Sequence, residues 1–290
     1  MLQSGDRVAL VACSDGLTAR DRDAHARLHA VLAGLGLDVV DSPHLFVTNT
    51  PTPALRQPAP DPARAAALER FLADPEIAAV FDISGGNLVG GVLSHLDMEV
   101  VARHPTPFFG YSDLTVLVNA LHARTGQVTH LWTVRNLVRS DGDAQVTRFR
   151  HSVLGTAPDL FDLEATMVRG DGMAGAVVGG NLRGVLKLAG TPWFPPVRGR
   201  ILALESLNGS PDAVHAGLHQ LLQIGVLAEV AGVLLGTFTA LQRDHGADAP
   251  ARLALEVLPP SVPLAVTRHF GHGSDSRALR IGADLRVDTS

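Results

Sequence analysis

In the first half of the chain, apolar residues fall in short unbroken runs, and between the runs they recur with helical spacing. "RVALVAC" (7–13), "LDVVDS" (37–42), "IAAVFDI" (77–83) and "TPFFG" (106–110) read as strands that are apolar on both faces. Helical patterns fill residues 20–35, the stretch "PARAAALERFLAD" behind Asp61 as its N-cap, a short "LVGGVLSHLD", and a run from Asp113 to Thr125. A loop rich in Pro and Thr spans residues 43–60. Apolar strands alternating with helices predict an α/β domain, a parallel sheet covered on both faces in three layers.

The period fails from 139 to about 175, which reads as a connection. After it come "AVV" and "RILALES" as strands, helices over 181–189 and 211–224, "VAGVLLGTF" as a strand, and short strands across 262–287. This predicts an N-terminal domain over 1–138 and a smaller, β-rich mixed α/β domain over 176–290. No internal repeat is visible; "VVGGN" only loosely echoes "ISGGN".

Composition narrows the function classes. The 290 residues are 46% hydrophobic and 18% charged with a net charge of -5, as in a folded chain. Lys187 is the only lysine, and no basic run stands out. That argues against a nucleic-acid face and against a polybasic membrane anchor. The single cysteine, Cys13, lies in an apolar run and reads as a buried, inert thiol. Neither a signal-peptide pattern nor a membrane-length apolar run is present, so the expectation is a cytoplasmic protein.

Four segments carry candidate chemistry. Gly110-Tyr111-Ser112-Asp113 sits at the carboxyl end of a predicted strand, where α/β sheets place ligands. A sharp strand-to-helix turn there exposes a hydroxyl, yet Leu114 replaces the second glycine of a G-x-S-x-G elbow, and Ser112 would serve equally as a helix cap. "FDISGGN" (81–87) ends a strand in glycines whose N–H groups suit an oxyanion or phosphate, or simply a tight turn. It lacks the Lys-Ser/Thr pair of a phosphate-binding loop. Glu205 ends the strand "RILALES", where a carboxylate needs a partner unless it is exposed. His272 lies between two glycines in "RHFGHGSDS", accessible and suited to general-base work. His269, His272 and Asp275 are also conceivable metal ligands, although no HExxH or second cysteine supports them, and no metal or cofactor is expected. Together Ser112, Glu205, His272 and the Gly85-Gly86 turn supply the nucleophile, orienting acid, base and N–H donors that acyl transfer needs.

The ordered segments "SGDRVALVACS", "ISGGN…VLSHLD", "FFGYSDLT", "VVGGNLRGVLKLAGTPWFP", "ILALES", "VAGVLLGTF" and "FGHG…LRIGADLRVD" resemble the LD-carboxypeptidase family of serine peptidases, which includes the microcin C self-immunity proteins. The resemblance implies a nucleophile at Ser112, an orienting Glu205, a base at His272, and an oxyanion hole from the N–H groups of Gly86 and Asp113, with Gly85 against the substrate. It implies a two-domain α/β fold, a homodimer, and cleavage of the amide between an L-centre and a terminal D-residue of a small murein peptide. The self-immunity branch instead cleaves an aminoacyl-nucleotide amide. A non-catalytic muropeptide-binding protein and a nucleotide-binding protein using "SGGN" are the readings from other classes. Departures from the family pattern are Ser84 where Arg is common, "THLW" for "THGP", Ser206 after Glu205, and Arg280 for proline; all fall where substrate would be contacted.

Overall fold

The computed structural model describes residues 1–47 and 58–289, so the middle of the Pro- and Thr-rich loop lies outside the described residues. The strands are β1 (Arg7–Val11), β2 (Asp38–Asp41), β3 (Ile77–Asp82), β4 (Phe108–Gly110), β5 (Thr129–Leu131), β6 (Thr166–Arg169), β7 (Gly172–Asn181), β8 (Ile201–Ser206), β9 (Gly232–Phe238), β10 (Leu264–Val266), β11 (Leu279–Ile281) and β12 (Asp284–Asp288). The helices are α1 (Arg22–Gly34), α2 (Asp61–Ala73), α3 (Val89–Leu93), α4 (Met98–Arg103), α5 (Thr115–Thr125), α6 (Gly142–Ser152), α7 (Leu182–Leu188), α8 (Pro211–Gln223), α9 (Val226–Glu229), α10 (Thr239–His245) and α11 (Ala249–Val257).

Two six-stranded sheets result. The first runs β11-β5-β4-β3-β1-β2, parallel except for β11, and the second β12-β7-β8-β9-β10-β6, with a parallel centre and antiparallel outer strands. The α/β architecture expected from the sequence is therefore present. The apolar runs form the inner strands because both faces are covered: Val8–Val11, Ala79–Phe81 and Ile201–Glu205 are all buried. Strand β11 departs from the linear division of the chain by crossing back to pair with β5, Leu279 against Leu131. Within the aperiodic stretch 139–175, α6 packs Phe149 against Trp132 and Phe81, while β6 edges the second sheet. That helix escapes a periodicity search because its exposed face is strongly polar, "GDAQVTRFRHS".

Helix α5 joins the halves. It is buried from Thr115 to His122, since it lies between the first sheet's other helices and β7 of the second. Asn119 fixes this contact: its side chain donates to Gly179 O (2.8 Å) and accepts from Gly179 N–H (2.9 Å). Asp61 is the first helical residue of α2 rather than its cap, and its carboxylate pairs with Arg64. Buried Arg64 in turn donates to Cys13 O (2.8 Å) and Ser14 O (2.5 Å) and so ties α2 to the end of β1. Cys13 is buried, and desolvation pushes its thiol well above the ordinary range. Trp132 is fully buried with its indole N–H donating to Ser276 O (3.1 Å), which gives it a role in the core.

His130, stacked on Phe109 at 4.1 Å, carries a pH dependence. Burial lowers its pKa from 6.5 to about 4, so the unfolded chain binds the proton first as pH falls. Stability from this group is complete above about pH 6.5 and is lost toward pH 4, roughly 2 kcal/mol by pH 5. His130→Phe is expected to remove that share of the acid sensitivity, measured by urea unfolding near pH 7 and pH 5.

Candidate active site

Ser112 directly follows β4 and Tyr111, opening a single 3-10 turn that leads into α5. Among the described residues it is the one non-glycine with a positive φ, 59°. Such a left-handed conformation costs an L-residue about 1–2 kcal/mol, and the buried α5 behind it holds it in place. Gly110 makes the tightness possible, because a Cβ there would stand 2.7 Å from that of Leu114. The elbow is thus built from one glycine and a packed leucine, which is why the incomplete motif still forms.

Glu205 and His272 come together. Glu205 is the last residue but one of β8, is fully buried, and accepts from His272 Nδ1 (2.6 Å) through Oε2 and from Asn181 Nδ2 (2.9 Å) through Oε1. Asn181 ends the neighbouring strand in register with Glu205, and its Oδ1 caps α7 at Gly184 N–H (3.3 Å). The loop carrying His272 is pinned to β9, where Thr237 N–H donates to Phe270 O (2.8 Å). Tyr111 packs edge-on against His272, ring centroids 4.8 Å apart; burial and then the Glu205 carboxylate raise its phenol well above the usual range. His272 Nε2 is buried and has no hydrogen-bond partner, so a Ser112–His272 bond is not formed.

The glycine turn sits beside the serine. A Cβ on Gly85 would lie 3.9 Å from Ser112 Cβ. Gly86 has φ 135°, and a side chain there would collide with the Asp15 carboxylate. The turn is held by Asp15 N–H to Gly85 O (3.2 Å), Asn87 N–H to Asp15 Oδ1 (2.8 Å) and Ser14 N–H to Ser84 Oγ (2.9 Å). Ser84 is itself bonded to buried Asp82, whose carboxyl is raised by desolvation. These bonds, with Leu114 N–H to Tyr111 O (3.1 Å) at the elbow, make no use of the Gly86 and Asp113 N–H groups.

The Asp113 carboxylate is a bracket. It accepts from Ser14 Oγ (2.7 Å) and Val89 N–H (3.1 Å), and it pairs with Lys187, which also donates to Asn87 O (2.9 Å). Three loops are thereby locked around the elbow. Removing the cation leaves a buried charge uncompensated, so Lys187→Met is expected to cost about 3 kcal/mol, the low end for such a pair because Lys187 is partly exposed. The double variant with Asp113→Asn should recover most of it, as urea unfolding would show. The sequence reading passed over Lys187, Asn181 and Tyr111 as site residues. The signals were there: the chain's lone lysine, and a second Gly-Gly-Asn at a strand end.

A cavity of about 370 Å³ opens over Ser112, lined also by Asn181, Arg183, Ser206 and Asn208. Arg183 is the one charged residue of that lining among the described residues, and it donates to Gly86 O (2.9 Å). A second cavity of about 430 Å³ lies against Ser84-Gly85-Gly86, with Asp15, Arg20, Asp21 and Arg135 around it. The alternative ligand set does not assemble: His272 faces Glu205, His269 stands 3.6 Å from Glu164, and no group of ligand atoms joins them to Asp275 among the described residues.

This two-sheet arrangement matches known proteins along the whole chain. The LD-carboxypeptidase N-terminal domain profile matches residues 8–131 and the corresponding C-terminal domain profile residues 174–287. The chain belongs to the LD-carboxypeptidase family. A probable murein peptide carboxypeptidase of Bacillus subtilis is 29% identical over 239 residues, 79% of this chain and 75% of that protein. A putative carboxypeptidase of Streptomyces coelicolor is 30% identical, covering 99% of this chain and 93% of its own. Among solved structures, MccF in complex with glutamyl sulfamoyl guanosine shares the fold with a TM-score of 0.85 at 19% identity, over 99% of this chain and 94% of that one. The muramoyltetrapeptide carboxypeptidase from Oxalobacter formigenes superposes with a TM-score of 0.79 at 25% identity, over 98% and 95%. Among the described residues no helix is long and apolar enough to cross a membrane.

Proposed function

We propose that the protein is a serine carboxypeptidase that releases a terminal D-amino acid from murein-type peptides through an acyl-enzyme. What supports this reading is the Glu205–His272 pair, with Nε2 left without a partner and the imidazole packed edge-on against Tyr111, the residue before the strained Ser112. Glu205 holds the Nδ1–H tautomer, leaving Nε2 as the base. With substrate bound, Nε2 takes the Ser112 proton as Oγ attacks the scissile carbonyl; catalytic hydrogen bonds often tighten only at that stage. The N–H groups of Gly86 and Asp113 receive the oxyanion, with Gly85 flanking the substrate, and each donor is worth about 10²–10³ in rate. His272 then protonates the departing amine, and water, deprotonated by the same imidazole, frees the acyl group and restores Ser112.

An exopeptidase also reads the terminal carboxylate. Arg183 takes that role as the cation lining the Ser112 cavity. Arg183→Gln is expected to lower kcat/KM for free-acid peptides roughly 10–100-fold, the worth of a charge-assisted bond, and to leave hydrolysis of the C-terminal carboxamide peptide nearly unchanged. Equal losses on both substrates would remove Arg183 from this role.

The relatives named for murein peptides and the self-immunity neighbours suggest two substrates to compare. Purified protein is incubated with murein tetrapeptide and, separately, with an aspartyl sulfamoyl adenosine, and products are followed by mass spectrometry. Free D-alanine from the first supports the carboxypeptidase reading. Cleavage of the second alone would replace it with the aminoacyl-nucleotide amidase.

A further inference from the structure

Away from the catalytic groups, two imidazoles and a carboxylate converge at the outer edge of the first sheet. His25 and His29 lie one turn apart on α1, on the same face of the helix. Asp41 ends the edge strand β2 and meets both: His29 Nε2 is 2.9 Å from Oδ1, and His25 Nε2 is 3.0 Å from Oδ2. The second approach is close, yet its geometry makes no hydrogen bond, and His25 Nε2 is a buried nitrogen without a hydrogen-bond partner. One ligand atom from each of the three residues falls within 4.8 Å of the others. Phe46 packs edge-on against the His25 ring, 5.4 Å between centroids, and walls that side of the cluster.

We propose that His25, His29 and Asp41 bind a borderline divalent transition-metal ion of the Zn²⁺ type. Two imidazoles with one carboxylate favour such an ion over Mg²⁺ or Ca²⁺, which take oxygen ligands. Tetrahedral Zn²⁺ with bonds of about 2.0–2.2 Å sets its ligand atoms roughly 3.3–3.6 Å apart. The imidazole–carboxylate approaches of 2.9 and 3.0 Å are near that, and small side-chain rotations bring a set already within 4.8 Å onto the ion. Three protein ligands leave the fourth position to water. The ion would clamp α1 to β2, two elements that sequence alone joins only through a short loop. A second histidine pair offers an internal comparison: His215 and His219 on α8 also stand one turn apart, rings 4.4 Å apart, but no carboxylate completes a ligand set there among the described residues.

The test uses the untagged full-length chain, stripped with chelator, then titrated with Zn²⁺ by calorimetry and with Co²⁺ by visible absorption. A single ion per chain is expected, with the intense d–d bands of tetrahedral Co²⁺. His25→Gln and His29→Gln should each weaken Zn²⁺ binding by about tenfold or more. The double change His215→Gln with His219→Gln should leave binding as it was. Circular dichroism of the metal-free variants confirms folding. No saturable Zn²⁺ binding overturns the proposal, as does binding unchanged in His25→Gln and His29→Gln or lost in the α8 variant.

Discussion

Replacing Ser112 with alanine is expected to abolish amide hydrolysis, with kcat falling roughly 10⁴–10⁶-fold, while the fold and its stability stay nearly unchanged. The two effects separate because of the backbone. Alanine carries the same Cβ penalty as serine at φ 59°, so the strain of the elbow persists without the hydroxyl. Ser112→Gly differs in one respect: it should be equally inactive yet more stable, by about 1 kcal/mol, because glycine occupies the left-handed region freely. An inactive variant more stable than the parent, by thermal or urea unfolding, would mark strain retained for function. A glycine variant that is less stable would remove that account of the elbow.

Glu205→Gln has the second largest expected effect, a fall in kcat of about 10⁴-fold with KM little changed. The reasoning runs through Asn181. Its Oδ1 is committed to the α7 cap, so its Nδ2 must point at position 205. A glutamine there turns its carbonyl toward Asn181 and its NH₂ toward His272. The imidazole then accepts at Nδ1 and carries its proton on Nε2, the wrong tautomer for a base. Asn181→Asp combined with Glu205→Gln gives the glutamine NH₂ an acceptor at 181 and turns its carbonyl back to His272 Nδ1–H, so part of the activity should return, whereas Glu205→Asp should keep the tautomer and lose activity through distance. Unchanged turnover in Glu205→Gln would show that the carboxylate plays no part.

Much of this was legible in the sequence. Unbroken apolar runs located the inner strands because both faces of the sheets are covered, and glycine at a strand end marked the turns. The sequence did not reveal α6, whose few buried residues sit in a polar stretch, nor that β11 returns to the first sheet, a tertiary pairing of Leu131 with Leu279 and of Thr129 with Ile281, far apart along the chain. For the site, Ser112, Glu205 and His272 were distinguishable only as a set in family-like order. The supporting groups were hidden for another reason. Lys187, Asn181 and Tyr111 act on partners far along the chain, and a lone polar residue at a helix start or strand end looks the same whether it caps, packs or positions.

The central claim is that Ser112 is a nucleophile activated by His272. Its most direct measurement is reaction of the purified protein with a fluorophosphonate probe, mapped by peptide mass spectrometry. The account predicts a single adduct on Ser112, absent in Ser112→Ala and formed far more slowly in His272→Ala and Glu205→Gln. No adduct on the wild-type protein, or equal labelling of Ser112→Ala, would contradict it.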